Sequence, residues 1–260
     1  MCISSGLLLY VEAGARLSMG NEANNRFYWS RKRDGVFRAC LRQYYFEYYG
    51  GLSTARVGAR EREMGVLRRL QTRAAWIQRQ VLRSIRLLLE TAAPLPAPEA
   101  ASHDLLTALR NDFRDSRSGA YRQAGAAARG LFEHEYNLQI PDAAWKEATD
   151  HAAAMLTRFL QSDLLKQLLS LPPESRRSAP ETGEFILDGL PVRCQPGLMV
   201  QRNGCVELIQ WRADPSWQPD EIDASCRALY ACHKESTTPD RLRLIDVRLA
   251  ADGAETAAQP

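Results

Sequence analysis

Residues 198–212 read Leu198-Met199-Val200-Gln201-Arg202-Asn203-Gly204-Cys205-Val206-Glu207-Leu208-Ile209-Gln210-Trp211-Arg212: two apolar stretches, Leu198–Gln201 and Cys205–Arg212, flanking Arg202-Asn203-Gly204. A tight two-residue connection needs positive φ at both central positions, which Asn and Gly tolerate, so the stretch predicts a β-hairpin. Upstream, Phe185, Leu187, Leu190 and Val192 fall in short apolar stretches after Pro180. Downstream, Pro219–His233 carries a helical pattern through Ile222, Cys226, Leu229 and Tyr230. Arg241–Leu249 alternates Leu242, Leu244 and either Ile245 or Val247, as a final strand does. The tail from Ala250 is small and polar, and 251–260 is expected to fray.

Before Pro180 the period is helical. Ser30 can cap a helix whose apolar face is Phe37, Leu41, Tyr44, Tyr45 and Tyr48, ended by Gly50-Gly51. Ala59–Glu90 repeats Met64, Leu67, Leu70, Ala74, Ile77, Val81, Ile85 and Leu88 at three- and four-residue steps. Ala92–Ala101 (AAPLPAPEAA) cannot be helical throughout and reads as a connector. Two or three more helices are expected between Asp104 and Leu171, the clearest being Ala143–Ser170. Helices first, then strand, hairpin, helix and strand, predict an α/β (α+β) fold with a large helical insertion. The expected organisation is an N-terminal extension at 1–25 and one domain at 26–250, with a helical part at 26–171 and a β-hairpin core at 181–250.

The chain has 260 residues, 45% hydrophobic and 25% charged, which suits a globular protein and not wholesale disorder. No apolar run approaches the ~20 residues of a spanning helix, so no membrane partner is expected. The formal net charge of +3 conceals a division. Residues 26–86 carry 15 Lys/Arg against 4 Asp/Glu, whereas 87–260 carry 18 against 25. A local basic block suits a polyanion or an acidic partner. A solvated arginine-rich face, or contact with the acidic later half, gives the same count.

Six cysteines, Cys2, Cys40, Cys194, Cys205, Cys226 and Cys232, show no CxxC and no His at zinc-ligand spacing, so neither a disulfide scaffold nor a zinc site is indicated. The apolar stretch Gly6–Val11 lacks a basic flank and reads poorly as a signal peptide, so a cytoplasmic protein is expected, with Met1 or Met19 as its start.

The order of segments resembles the RecB/AddB-like branch of the PD-(D/E)xK nuclease superfamily. The resemblance is carried by Trp29-Ser30 with Phe37, Cys40, Arg42 and Tyr44-Tyr45, and by the Leu67–Leu82 helix with Trp76. Leu131–Tyr136, Phe159-xx-Ser162, the hairpin ending in Gln210-Trp211-Arg212 and Cys226-xxx-Tyr230 complete it. It covers about residues 27–250 and implies a restriction-endonuclease-like core: a small mixed β-sheet flanked by helices. The family's chemistry uses an Asp after a Pro, and an Asp or Glu two residues before a Lys, to bind Mg²⁺ or Mn²⁺ and position water.

Five matched positions depart from that pattern. Gly197 follows Pro196 where the Asp stands; Gln210 and Arg212 occupy the acid and Lys positions; Leu82 matches a metal-binding His; and Cys226 replaces a Gln while Tyr230 stays. Glu207 has the wrong strand parity to substitute for an acid, leaving Glu184, Asp188 and Asp214 as candidates, with Glu184 matching a family acid ahead of the first strand. Cys40 matches a cysteine that some relatives use for an iron–sulfur cluster, but no closely spaced group follows, and a buried small hydrophobe is the expectation.

The leading expectation is a catalytically degenerate nuclease-like protein that binds nucleic acid, by resemblance DNA, or holds a protein partner that does. No cofactor is expected unless cleavage survives, which would require Mg²⁺ or Mn²⁺ around Glu184, Asp188 or Gln210. The phosphate-facing candidates are Arg31, Lys32, Arg33, Arg60, Arg69, Arg73, Arg79 and Tyr230, with Trp29 and Tyr49 freer to stack on bases than Tyr44, Tyr45 or Tyr48. A structural subunit docking an acidic protein is the third possibility.

Overall fold

The computed structural model describes residues 27–50, 58–90, 95–124, 128–178, 180, 182–214, 216–249 and 254–259. The N-terminal extension and the choice between Met1 and Met19 lie outside these residues, as do Gly51 and the start of the 92–101 connector. In chain order the elements are Arg31–Ala39 (α1), Leu41–Tyr48 (α2), Ala59–Leu67 (α3), Leu70–Gln71 (β1), Arg73–Glu90 (α4), Pro98–Arg117 (α5), Gly130–Leu131 (β2), Phe132–Glu135 (α6), Asp142–Gln161 (α7), Asp163–Leu169 (α8), Arg176–Ser178 (β3), Gly183–Leu187 (β4), Leu190–Cys194 (β5), Leu198–Arg202 (β6), Cys205–Arg212 (β7), Glu221–Glu235 (α9), Leu242–Leu249 (β8) and Ala254–Gln259 (β9). The fold is mixed α/β, with helices predominating over small sheets.

Where one domain was expected across 26–250, the chain divides into two compact units: residues up to Arg68 together with Glu184–Arg193, and Arg69–Gly183 together with Cys194 onward. The β4–β5 hairpin joins the N-terminal unit because Trp29 pairs with it. Trp29 N–H donates to Pro191 O at 2.8 Å, and Arg193 N–H donates to Trp29 O at 2.8 Å.

In the first unit Ser30 caps α1 as expected, its Oγ accepting from Arg33 N–H at 3.2 Å. The single helix expected to run on to Tyr48 breaks at Cys40, which is extended (φ −162°, ψ 111°) and whose Sγ caps α2. The break rotates the predicted apolar stripe apart, so Tyr44 is buried while Leu41 and Tyr45 are exposed.

The second unit holds a five-stranded sheet in the order β3-β6-β7-β8-β9. β6 and β7 are antiparallel about the expected Asn203-Gly204 turn (φ 52° and 74°). β8 returns parallel to β7, with α9 as the crossover, and β9 adds antiparallel to β8. The tail expected to fray thus supplies a strand at 254–259, its backbone paired with Leu244–Leu249.

Strand alternation sends Leu198, Val200, Ile209, Trp211, Val247 and Leu249 to one face, against Trp76, Val81, Ile85, Leu105, Met155 and Phe159. Met199, Val206, Leu208, Leu242 and Leu244 face the other way, against Ala224 and Ala231 of α9. A sheet covered on both faces explains why apolar residues of β7 and β8 are buried on either side of it.

Two long helices predicted from periodicity are interrupted. Ala59–Glu90 breaks because Leu70–Gln71 pairs in parallel with Gly130–Leu131, and α4 restarts with Arg73 N–H donating to the Glu133 carboxylate at 2.8 Å. Ala143–Ser170 breaks at Ser162, whose Oγ caps α8 through Leu165 N–H at 3.3 Å. The 92–101 connector yields its last residues to α5, with Pro98 at the first helical turn, where no N–H is needed.

Candidate functional site

The β6–β7 pair places Gly197 just before β6 and Gln210, Trp211 and Arg212 at the end of β7. Gly197 has φ +83°, and a Cβ built there would overlap the Ile209 carbonyl oxygen. The backbone therefore excludes any side chain at this position, a carboxylate included.

At the end of β7 the charges are already matched. Arg212 Nε donates to Asp246 Oδ1 at 2.9 Å and its Nη2 to Asp223 Oδ2 at 2.7 Å. Arg227 Nη2 donates to Asp246 Oδ2 at 2.7 Å, and its Nε lies 3.3 Å from Asp223 Oδ2. Two guanidinium groups and two carboxylates thus close a ring, deeply buried at Arg227 and Asp246, whose side chains are 1% and 2% exposed. Three elements assemble it: β7 carries Arg212, β8 carries Asp246, whose backbone registers with Gln210, and α9 carries Asp223 and Arg227 one turn apart. Asp220 holds the start of α9 by accepting from the N–H groups of Ile222 and Asp223. The Arg212 guanidinium also lies 4.8 Å from the Trp217 ring centroid.

Mg²⁺ and Mn²⁺ take oxygen ligands, and these sites rely on ionised carboxylates. Asp246 and Asp223 are each held by two arginines, Gly197 has no donor, and Gln210 offers only a buried amide oxygen without a hydrogen bond among the described residues. This residue set does not fit a divalent ion. Elsewhere among the described residues, no three His, Cys, Asp or Glu side chains are grouped to hold a metal.

The other predicted catalytic candidates are not members of this ring. Glu184 belongs to the first unit, where its carboxylate accepts from Arg193 Nε at 2.7 Å. Asp188 is exposed at the β4–β5 turn, and Asp214 accepts from Ser216 N–H and Oγ at 2.8 and 2.7 Å, closing a turn. Leu82 packs against the apolar core. Tyr230, expected to contact nucleic acid, is buried, and burial raises its hydroxyl pKa. Near it, burial pushes the Cys194 thiol up to about 12, with Cys226 adding to the effect.

The predicted basic surface is largely consumed internally. Arg33 is 3% exposed, its guanidinium 4.6–5.4 Å from the ring centroids of Phe27, Tyr28, Tyr44, Tyr48 and Tyr49. Its Nε donates to the Tyr44 hydroxyl at 3.0 Å and its Nη2 to the Tyr49 hydroxyl at 2.7 Å. It is a core residue, not a phosphate contact, and it occupies Tyr49. Burial drives the Tyr49 pKa up to about 12, opposed by the Arg33 charge. Trp29 is buried as well. Arg31 pairs with Asp34 at 3.3 Å and Lys32 with Glu47 at 3.0 Å.

In the second unit Arg79 pairs with Asp112 at 3.1 Å, sharing Oδ2 with Trp76 Nε1 and Gln80 Nε2. Arg69 donates to Ala124 O at 3.2 Å, and Arg73 lies over Trp145 at 5.5 Å. Arg60 alone of the predicted set is exposed with no ion pair among the described residues.

Sequence reasoning reached Gln210 and Arg212 but missed Asp223, Arg227 and Asp246. The available signals were Asp246 as the one acid of the strand pattern Leu242–Leu249 and an Asp–Arg pair at i,i+4 on the inner side of α9. Compared with known protein families and with curated proteins, the chain matches no family model and no curated sequence.

Proposed function

We propose that the chain is a catalytically degenerate PD-(D/E)xK-like protein of the RecB/AddB kind that holds nucleic acid, by resemblance DNA, without cutting it. The observation that carries this is the end of β7, where Arg212 and Arg227 satisfy Asp246 and Asp223, and Gly197 admits no side chain. The β6–β7 hairpin followed by α9 and the parallel strand β8 supports the family resemblance. Holding a phosphate backbone needs exposed, unneutralised cations, and of the residues expected for it Arg60 meets that description, with Arg83 on α4 beside it in kind.

The test is purified protein incubated with labelled single- and double-stranded DNA and Mn²⁺. Binding without cleavage is expected. Metal-dependent cleavage abolished by Glu184→Ala would overturn the proposal in favour of an active nuclease. No binding at low salt would overturn it in favour of a subunit that docks a protein.

A further inference from the structure

A row of arginines without internal partners also lies outside the basic block, on the C-terminal half of α5. Arg110, Arg114 and Arg117 are exposed and fall at i, i+4 and i+7, and their side chains make no ion pair or hydrogen bond among the described residues. A helix rise of about 1.5 Å per residue sets them at steps of roughly 6 and 4.5 Å along one face. Together with Phe113 and Ser118 they line an open concavity of about 420 Å³.

The floor of this concavity is aromatic. Phe113 meets the His134 ring edge-on at 4.6 Å and Trp145 at 5.1 Å, and His134 lies 5.3 Å from Trp145. The cluster is fixed from beneath by Ser116, whose Oγ accepts from Leu131 N–H at 2.8 Å and lies 3.0 Å from His134 Nδ1. Burial lowers the His134 pKa, and the Arg117 charge lowers it further. Both effects favour the neutral ring, and the formal positive charge of the patch is that of the three arginines.

The geometry points to a single-stranded nucleic-acid site on α5, with Arg110, Arg114 and Arg117 on consecutive phosphates and Phe113 beneath a base. It rests on the nucleic-acid function proposed above and assigns it to residues outside the 26–86 block. Guanidinium forks on either side of an apolar ring repeat the alternation of phosphate and base along a strand. An acidic peptide would use the charges but leave the ring uncovered.

The test is fluorescence anisotropy of the full chain with a short labelled oligothymidylate across a salt series. Three single-strand phosphate contacts predict a slope of log K against log salt of about −2 from this site. The triple substitution Arg110→Gln/Arg114→Gln/Arg117→Gln should flatten the slope by that amount and weaken binding at low salt by at least about tenfold. Lys234→Gln/Arg241→Gln/Arg243→Gln, which removes the same charge elsewhere, should leave most of the slope intact. Phe113→Leu should weaken binding without altering the slope. Far-UV circular dichroism checks that each variant is folded.

An unchanged slope in the α5 triple variant, with wild-type binding intact, would overturn this site alone. Absence of wild-type binding would overturn both this site and the function on which it rests. Displacement of the oligonucleotide by polyglutamate as effective as by unlabelled oligothymidylate would overturn the nucleic-acid assignment in favour of an acidic peptide.

Discussion

Arg227 and Asp246 meet between α9 and β8 with Nη2 donating to Oδ2 at 2.7 Å, both side chains almost wholly shielded from water. Removing one partner from such a pair leaves a buried charge uncompensated, which costs about 3–5 kcal/mol, whereas replacing the pair with apolar groups can be near neutral. Asp246→Asn should therefore lower the urea-unfolding free energy by that order, because Arg212 and Arg227 both lose an anion. Arg227→Met/Asp246→Leu should recover part of the loss despite removing more polar atoms. Equal destabilisation by the single and double variants would show that packing, not charge, dominates this region.

Gly197→Ala combines a left-handed backbone with overlap of the Ile209 carbonyl oxygen. The conformation alone costs about 1–2 kcal/mol in any L-residue, and displacement of β7 adds to it. Soluble yield and unfolding midpoint should both fall. Gly197→Asp should fall at least as far and should not produce Mn²⁺-dependent cleavage.

His134 gives the pH dependence a definite sign. Burial, and then the Arg117 charge, lower its pKa below the ordinary value of 6.5, so the unfolded chain takes up a proton before the folded chain does. Its contribution to stability is present above pH 6.5 and is lost as pH falls toward the lower folded value. His134→Gln should reduce the difference in unfolding midpoint between neutral and mildly acidic buffer. Arg117→Gln should raise the His134 pKa when followed by NMR titration.

The Arg33 cage makes an Arg-to-Lys change costly. Lysine keeps the charge but cannot donate in a planar fork to Tyr44 and Tyr49 while lying among five rings. Arg33→Lys should destabilise by about 1–3 kcal/mol in urea titration, and Arg33→Ala by more. A negligible effect of Arg33→Lys would show that the hydroxyl contacts contribute nothing.

The hairpin at Asn203-Gly204 was legible because its signal is local: two residues suited to positive φ between apolar stretches. The helix breaks at Arg68–Thr72 and Ser162 were not, since 3.6-residue periodicity continues through both. The first is imposed by pairing with Gly130–Leu131, about sixty residues away, and the second by a serine cap. Gly197, Gln210 and Arg212 could be read from one stretch of chain. Their partners Asp223, Arg227 and Asp246 are scattered over three elements, and only the fold makes them neighbours. Arg33 was misread because composition treats arginine as surface, whereas its aromatic surroundings come from Phe27, Tyr28, α2 and Tyr49.

The ring at the end of β7 has a consequence for the protein's electric field. Two cations and two anions in a closed arrangement largely cancel beyond their own size, so these four groups add little to any attraction of a polyanion. Attraction over a Debye length must then come from arginines that nothing inside the molecule neutralises. Among those of the second unit, Arg110, Arg114 and Arg117 form a row, which makes the outer face of α5 the electrostatic entrance of the proposed site.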